Sequence, residues 1–359
     1  MKINNKIIHS KNLYIFFLFL SLNIFFFSTV KSEGKAFDIN DIDISRPFEI
    51  NFDKNDVINE GFKKAFSELV STILNSKDQK KIDQIKLNQI KGMIETFTIK
   101  EEKFVDETYH VNLGVSFNKK KVFNFLEKKN IFPSIPQKKT FLFIPIIIDE
   151  NKKNSLFFYN NKIFLEWNNF FQSYHLIEYL LPEEDLEDLN IIKSKYEFIE
   201  KYDFKEIISK YNLNSSIVAL IFKNEQEIRI LSRITDRENT VLKNETFSGI
   251  SFENINDVEN LISNLKISYE DYWKAANQIN TSIRLTLNIK VDNKDYSKIL
   301  EFENTLDEND LVYEYYISKF DKDFTFYQII FNSNPNNFLK IMEDKNYKFN
   351  TQNKIWILK

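Results

Sequence analysis

The chain has 359 residues, of which 43% are hydrophobic and 28% charged, and its formal net charge is −3 at pH 7. This balance is typical of a folded protein rather than a disordered one, and the length is sufficient for two or three domains. The sequence contains no Cys, which excludes disulfides and thiolate metal sites. It contains only 5 Gly, and neither glycine-rich fingerprint of nucleotide binding occurs.

Residues 1–32 have the pattern of a secretory signal peptide. A basic start precedes an apolar run over residues 13–27, which is shorter than the ~20 residues that a membrane-spanning helix requires. Val30 and Ser32 are small enough for the −3 and −1 positions of a signal-peptidase site. We therefore expect a periplasmic or secreted protein that is cleaved near Ser32 and has no membrane span afterwards. The alternative is a segment that is retained as an anchor.

The first predicted domain covers residues 36–135 and is α+β. A hairpin is expected, because apolar residues alternate with polar or small ones from Tyr109 to Phe117, after a partner strand over residues 93–103. Apolar residues at helical spacing predict a long helix over residues 58–73. The remaining expectations are a loose start over 33–44, a short strand over 47–52, a weak helix over 76–91, a helix over 122–126 and a linker at Pro133–Pro136.

The second predicted domain covers residues 139–280 and is an α/β sheet with helices on both faces. Phe141–Ile148 and Ser216–Phe222 are continuously apolar, as expected of central strands that helices cover on both sides. Strand, helix and strand in this order predict parallel pairing. The other expected elements are short strands over 156–159 and 176–181, an aromatic-rich helix over 162–175, a helix over 203–212, antiparallel strands over 227–235 and 240–252, and a long helix over 258–279.

The third predicted domain covers residues 281–359 and has the β-α-β-β-α-β order of a ferredoxin-like fold. Alternating apolar residues predict its first strand over residues 283–291. The other elements are a helix over 296–306, strands over 312–320 and 324–331, a helix over 335–342 and a strand over 353–358. One face of this sheet would carry Tyr313, Tyr315 or Tyr316, either as an interface or packed on the second domain.

The most acidic stretch of the chain, LPEEDLEDLN over residues 181–190, is interpreted as the start of a helix. Pro is preferred at the first helical position, and carboxylates are preferred in the first turn, where they meet unpaired N–H groups. A Ca²⁺ loop would require ligands around a Gly, which this stretch lacks. We therefore assign no metal to its five acids, which are Glu183, Glu184, Asp185, Glu187 and Asp188.

The sequence shows no other catalytic, cofactor or metal motif. The three histidines are His9, His110 and His175, and none of them has a second histidine at zinc-ligand spacing. Three arginines recur at every fourth residue, at Arg229, Arg233 and Arg237, and acids lie between them. This pattern favours a solvated strand face over an anion site. Removal of residues 1–32 takes away four lysines and no acids, so the net charge changes from −3 to −7 and argues against a nucleic-acid partner.

Four stretches, taken in order, carry a resemblance to a known family. They are IKEEKFVDETYHVNLGVSFNKKKVFNFL, TFLFIPIII with EWNNFFQSY, LLPEEDLEDLN with FKEIISKYNLNSSIVALIF, and NPNNFLKIMEDKNYKFNTQNKIWIL. Together they resemble the exported bacterial domain-of-unknown-function family 2066 in its alphaproteobacterial form, over most of residues 36–359. Phe170 and Tyr174 stand where that family tends to have Trp. The resemblance implies export and this fold, but no activity and no functional residue.

Two classes of function fit these observations. We expect a non-enzymatic binding or assembly module of the cell envelope with a protein partner, because no polar motif converges. The alternatives are a periplasmic hydrolase with carboxylates in a cleft between the second and third domains, and a protein that binds a small molecule or lipid under the aromatic helix. A deep pocket with buried ionisable groups would favour the enzyme, whereas an exposed apolar patch or open sheet edge would favour the binding module.

We predict that the exported protein begins at Glu33, because Val30 and Ser32 match the small-residue requirement of signal peptidase. N-terminal sequencing of the protein recovered from the envelope measures this directly. An intact Met1 in the membrane fraction would contradict cleavage.

Overall fold

The computed structural model describes residues 36–224, 227–281 and 284–359, which contain three β-sheets and ten α-helices. The signal segment that the sequence predicts over residues 1–32 lies outside the described residues. The mixed multidomain α+β architecture expected from the sequence is confirmed. Within the described ranges, no helix combines the length and the apolar character that crossing a bilayer requires.

The first sheet has three antiparallel strands in the order β1-β3-β2, which are Asp38–Pro47 for β1, Ile94–Val105 for β2 and Thr108–Phe117 for β3. β2 and β3 are the predicted hairpin. Its turn consists of Asp106 and Glu107, whose φ values of 48° and 59° match the left-handed conformation that tight hairpin turns require.

The expected loose start over residues 33–44 and short strand over 47–52 are wrong, because β1 occupies residues 38–47. Its isoleucines are buried, but a bulge between Ile39 and Ile42 inserts an extra residue into the strand. Asp41, with a φ of 61°, lies in this bulge. The extra residue interrupts the two-residue period by which a strand is detected in a sequence.

Helix α1, Lys54–Ile73, covers the inner face of this sheet and confirms the predicted long helix. Asp53 caps it by accepting a hydrogen bond from the N–H of Asn55 at 2.8 Å. Gly61 allows the close approach of α1 to β3, because an added Cβ would meet the side chain of Leu113. Three shorter helices complete this region: α2 at Ser76–Gln79, α3 at Leu87–Met93 and α4 at Lys119–Lys128.

The central sheet has the strand order β5-β4-β7-β8-β9, and β6 also pairs with β4. The strands are β4 at Lys139–Asp149, β5 at Asn154–Leu156, β6 at Ile177–Leu180, β7 at Ser215–Lys223, β8 at Glu227–Asp236 and β9 at Asn239–Ser248. β4 is parallel to β6 and β7, and β8 and β9 are antiparallel extensions, as predicted.

Helices cover both faces of β4 and β7, which is why these strands are apolar on both sides. The helices are α5 at Lys162–Glu166 and α8 at Ile255–Ala276 on one face, and α6 at Leu186–Ser194 and α7 at Lys205–Ile208 on the other. The aromatic helix predicted over residues 162–175 is much shorter. It ends at Glu166 and a single 3₁₀ turn follows. The carbonyl oxygen of Phe170, directly after this turn, accepts a hydrogen bond from Lys266 of α8.

The third sheet has the order β11-β12-β10-β14-β13. Its elements are β10 at Leu285–Asp292, α9 at Tyr296–Glu308, β11 at Val312–Phe320, β12 at Phe324–Phe331, α10 at Pro335–Asp344, β13 at Phe349–Asn350 and β14 at Ile355–Leu358. β10 is parallel to β14 and antiparallel to β12. Apart from the short β13, this is the predicted ferredoxin-like arrangement.

The segment Pro133–Pro136, expected as a linker, is held on both sides. The Ser134 N–H donates to Ile73 O at 2.7 Å, and the Ile135 N–H donates to Asn277 O at 2.9 Å. Ser134 is buried. Residues 36–359 pack as one compact unit, and the buried apolar residues of the first and third sheets belong to one cluster. The division of the chain into three domains stays a prediction.

Candidate functional site

Three charged side chains are buried in a row along helix α8. Lys266, Glu270 and Lys274 follow at four-residue intervals and therefore lie on one face of the helix, and each is at most 4% exposed. The Lys274 Nζ lies 3.9 Å from Glu270 Oε2. Because a buried charge is costly unless it is paired, this row, which we name the charge ladder, requires nearby polar partners.

The lysines of the charge ladder are satisfied by backbone carbonyls of distant segments. Lys266 Nζ donates to Phe170 O at 2.6 Å, and Lys274 Nζ donates to Ser71 O at the end of α1. Lys266 also lies over an aromatic ring, with its Nζ 5.2 Å from the Trp167 ring centroid. Lys274 thus connects the central region to the first region.

Glu270 is satisfied in the opposite sense, by backbone N–H groups. It accepts the N–H of Leu176 at 2.9 Å and the N–H of Ile177 at 2.8 Å, where β6 begins. The neighbouring Asp271 reaches the first region, because it accepts the N–H of Ser76 at 2.7 Å. Helix α8 therefore holds the beginning of one strand of the central sheet and the beginning of α2.

The histidines lie in separate places. His175 is buried beside the charge ladder, and its Nδ1 accepts the N–H of Gln172 at 3.4 Å. His110 lies on β3, where its Nδ1 is 2.7 Å from Ser45 Oγ. His9 lies outside the described residues. Within the described ranges, no group of three or more His, Asp or Glu could hold a metal ion.

Burial shifts the protonation equilibria of these groups. Burial, together with the positive charges of Lys266 and Lys274, lowers the pKa of His175 to about 4. Burial also lowers the pKa of Lys266 to about 8, although Glu270 opposes this shift. For the Glu270–Lys274 pair, burial raises the pKa of the carboxyl and lowers that of the ammonium.

Perturbed lysines and histidines occur in active sites, but the surroundings of the charge ladder are those of a packed interior. Two clefts of ≈ 330 and ≈ 410 Å³ open elsewhere on the surface, and their walls contain neither His175 nor a residue of the charge ladder. The first cleft is lined by polar groups such as Lys139, Asp236 and Arg237. The buried charges are therefore placed to connect segments of the chain.

Aromatic rings fill the space under α5, where a small-molecule or lipid pocket was one alternative considered from the sequence. Trp167 stacks on Phe143 with a centroid separation of 3.8 Å. Tyr179 and Tyr269 approach the same indole at 5.1 and 6.2 Å. These contacts bury Trp167 completely.

The acidic stretch does contain a helix start, but the helix begins later than the sequence suggested. Asp185 is the N-cap and accepts the N–H of Glu187 at 2.8 Å, so α6 begins at Leu186. Pro182 therefore does not occupy the first helical position. Glu183 and Glu184 precede the cap and are exposed.

The fold brings the ammonium group of a lysine from outside this stretch to its carboxylates. Lys210 Nζ lies 2.8 Å from Asp185 Oδ2, 2.8 Å from Asp188 Oδ1 and 3.4 Å from Glu187 Oε2. Asp188 is fully buried, and its Oδ2 has no hydrogen-bond partner among the described residues. Asp188 therefore depends on Lys210 for the compensation of its charge.

The three arginines do not form the solvated strand face that the sequence favoured. Arg229 Nη2 lies 2.6 Å from Glu200 Oε1, and Arg233 donates to the carbonyl oxygens of Tyr202 and Glu200 at 2.6 and 2.8 Å. These two side chains hold the segment between α6 and α7 on the sheet. Arg237 lies in the turn between β8 and β9, with a φ of 54°.

The three tyrosines of β11 are divided among different surroundings. Tyr313 OH donates to Asn124 Oδ1 of α4 at 3.2 Å, so this part of the third sheet contacts the first region. Tyr315 is half-buried beside the cluster shared with the first sheet. Tyr316 is exposed and donates to Gln328 Oε1 at 2.5 Å. The alternative of tyrosines packed on the second domain is wrong for Tyr313.

The first sheet leaves an apolar surface uncovered along β2. Among the described residues β2 pairs with β3 alone, and every residue of β2 after Ile94 is exposed. Helix α1 packs mainly on β1 and β3, although its Phe62 contacts Phe97 at a centroid separation of 5.1 Å and its Lys54 Nζ lies 2.7 Å from Glu102 Oε1. The other apolar side chains of β2 that point to the helix side, and the exposed part of Phe97, extend beyond the helix. We name as the edge surface the exposed apolar residues of β2, which are Phe97, Ile99 and Phe104, together with Phe48, which contacts Phe104, and Ile50, two residues after Phe48.

Aromatic contacts hold one end of the edge surface together. Phe48 and Phe104 contact each other at a centroid separation of 5.2 Å, although they are 56% and 57% exposed. The Phe48 N–H donates to Glu107 O at 2.7 Å, which fixes the end of β1 against the hairpin turn. Solvent therefore meets a pre-formed apolar surface rather than isolated side chains.

Comparisons with protein-family models and with curated proteins give no match for this chain. The resemblance to the exported family described above therefore stays a prediction.

Sequence reasoning missed both the charge ladder and the edge surface. The four-residue spacing of Lys266, Glu270 and Lys274 is visible in the sequence, but the same spacing is typical of exposed ion pairs on a helix. For β2 the sequence predicted only the partner strand of the hairpin over residues 93–103. The signal that could have indicated its exposed edge is the run of four charged residues at 100–103, which is typical of an edge strand.

We predict that Lys210→Met lowers the free energy of unfolding at pH 7 more than Glu184→Gln does. Lys210 is the partner of the buried Asp188, whereas Glu184 is exposed. Urea denaturation of both variants and of the unaltered protein gives the comparison. Equal stability of the two variants would show that Asp188 does not depend on this ion pair.

We predict that His175 makes the protein less stable as the pH falls from about 6.5 to about 4. The unfolded state binds the proton near pH 6.5, whereas the folded state binds it near pH 4, so acid favours unfolding across this window. The expected loss is on the order of 3 kcal/mol. The measurement is the difference in unfolding free energy between the protein and His175→Asn at several pH values, which cancels the other titrating groups. A difference that does not change with pH would contradict the prediction.

Proposed function

We propose that this is an exported protein that acts in the cell envelope by binding another protein through its edge surface, without chemistry of its own. The observation that carries the proposal is the uncovered apolar surface along β2, next to a backbone edge that pairs with no further strand among the described residues. An exposed patch of this kind beside an open edge is a feature of protein-binding sites.

The composition of the edge surface supports a protein partner. Aromatic residues are enriched in the cores of protein interfaces, and three of the five residues of this surface are Phe. Carboxylates lie next to the apolar tip along the chain, at Glu49 and Asp53 and in the hairpin turn at Asp106 and Glu107. This negative charge disfavours contact with an anionic membrane surface.

The distribution of buried charge supports the same proposal over a hydrolase. Two groups of the central region with strongly lowered pKa values, Lys266 and His175, are enclosed by protein atoms. Their partners are backbone groups, as described above for the charge ladder. Export to the envelope is supported by the pattern of residues 1–32 and by the resemblance to an exported family, which names no activity.

We predict that Ile50→Ser weakens the retention of envelope proteins by the immobilised protein, because Ile50 is a fully exposed member of the edge surface. Leu186→Ser is the matched control, since Leu186 is 78% exposed at the start of α6, away from this surface. Quantitative mass spectrometry of the retained proteins compares the two variants, and thermal unfolding confirms that both are folded.

Equal retention by the two variants would contradict binding through the edge surface. Turnover of a defined substrate by the purified protein, with no dependence on Ile50, would replace the binding proposal with the hydrolase alternative.

A further inference from the structure

We infer that the partner of the edge surface is a second copy of this chain, whose β2 pairs antiparallel with β2 across a two-fold axis between Lys100 and Glu101. This inference rests on the proposed function and names the partner of the same surface. It would join the two three-stranded sheets into one sheet of six strands in the order β1-β3-β2-β2-β3-β1. Self-pairing of an edge strand is a closed, isologous contact.

The bulge in β2 carries the first part of the argument. The register with β3 shifts between Ile99 and Glu101, so that Lys100 is an extra residue. Before the bulge, Phe97 and Ile99 pair with buried residues of β3 and face the helix side. After the bulge, Glu102 and Phe104 face that side.

The bulge makes the pattern of β2 symmetric about its own midpoint. The residues that face the helix side are 97, 99, 102 and 104, and those that face the opposite side include 96, 98, 103 and 105. A two-fold axis between residues 100 and 101 maps 97 onto 104, 99 onto 102 and 98 onto 103. Residues 96–99 of one copy then lie opposite residues 105–102 of the second copy, and each pair points to the same face of the joined sheet, which is the condition for an antiparallel pair.

The aromatic side chains match in this register, and Glu102, which lies opposite Ile99 of the second copy, is held by Lys54 of its own chain at 2.7 Å. Phe97 lies opposite Phe104 of the second copy, and both are about half exposed in the single chain, at 46% and 57%. An aromatic pair directly opposite on neighbouring strands is among the favourable cross-strand pairs. The pairing thus covers Phe97 and Phe104 of the edge surface in both copies.

Charges favour the same register over its neighbours. The two-fold axis places Lys100 opposite Glu101 of the second copy, and this pair occurs twice. Within one chain Lys100 pairs with Asp41 and Glu101 with Lys103, both at 3.1 Å, but these side chains are exposed and such pairs contribute little to stability. A shift of the axis by one residue towards the turn places Lys100 opposite Lys103 and Glu101 opposite Glu102, which are like charges. A shift by one residue in the other direction places both aromatic residues opposite carboxylates, Phe97 opposite Glu102 and Phe104 opposite Glu95. The charges and aromatic residues of β2 therefore favour the proposed register over its two neighbours.

The absence of Cys from the sequence allows a direct test of this register. Thr98 and Lys103 are exposed, face away from the helix side, and would lie opposite each other across the axis. We expect Thr98→Cys and Lys103→Cys, mixed under mild oxidation, to form a mixed disulfide-linked dimer. Opposite residues of antiparallel strands have Cα separations of about 4.5–5.5 Å, within the range that a disulfide bridges. Each variant alone is the control and should remain largely unlinked.

A charge exchange tests the same axis without a crosslink. Glu101→Lys places like charges opposite each other and should abolish the dimer in sedimentation velocity measurements. Adding Lys100→Glu to this variant restores opposite charges and should restore the dimer. The protein spanning residues 36–359 is used, since these residues form one compact unit.

A monomer at all protein concentrations, or linkage of each cysteine variant with itself as readily as with the other, would overturn the second-copy inference. Failure of the double exchange to restore the dimer would overturn the proposed register. These outcomes are separate from the proposed function, because the comparison of Ile50→Ser with Leu186→Ser measures binding of any envelope protein.

Discussion

The buried charge ladder of α8 is the constraint on which the arrangement of this protein depends. A buried ammonium or carboxylate is tolerated only where polar groups compensate its charge, and here those groups are backbone atoms of other segments. Lys266 holds the segment after α5, Glu270 holds the start of β6, and Lys274 holds the end of α1. One helix face thereby fixes the positions of three segments that are far apart in the sequence.

The first and third sheets are connected by a different kind of interaction. Their buried apolar residues form one cluster, and polar contacts between α4 and β11 lie at its border. Lys120 Nζ, for example, lies 2.5 Å from Glu314 Oε1. Non-directional apolar burial holds these two sheets together, whereas directional hydrogen bonds from α8 position the central region against the first.

Coverage of the sheets explains which surface remains for recognition. The central sheet has helices on both faces, while α1 covers β1 and β3 of the first sheet and leaves β2 at its border. An edge strand with apolar residues is prone to unspecific pairing unless charges or a bulge limit it. β2 has both features at its midpoint, in the bulge at Lys100 and the charges that follow. They restrict the registers that a pairing strand can adopt.

The sequence by itself determined the elements with uninterrupted periodicity, including the β2–β3 hairpin, the parallel centre of the second sheet and the ferredoxin-like order after residue 281. Such periodicity records local geometry, two residues for a strand and 3.6 for a helix, and burial of one face follows from it. Tertiary structure decided what lacks a local signal. A bulge at Asp41 interrupted the period of β1, the aromatic helix ended at Glu166, and Lys210 joined the acidic stretch from a later segment of the chain. Glu270 has the spacing of an exposed helical charge and is buried, whereas Phe104 is an apolar strand residue and is exposed. Both outcomes depend on which distant segment covers the residue, and spacing along the chain does not contain that information.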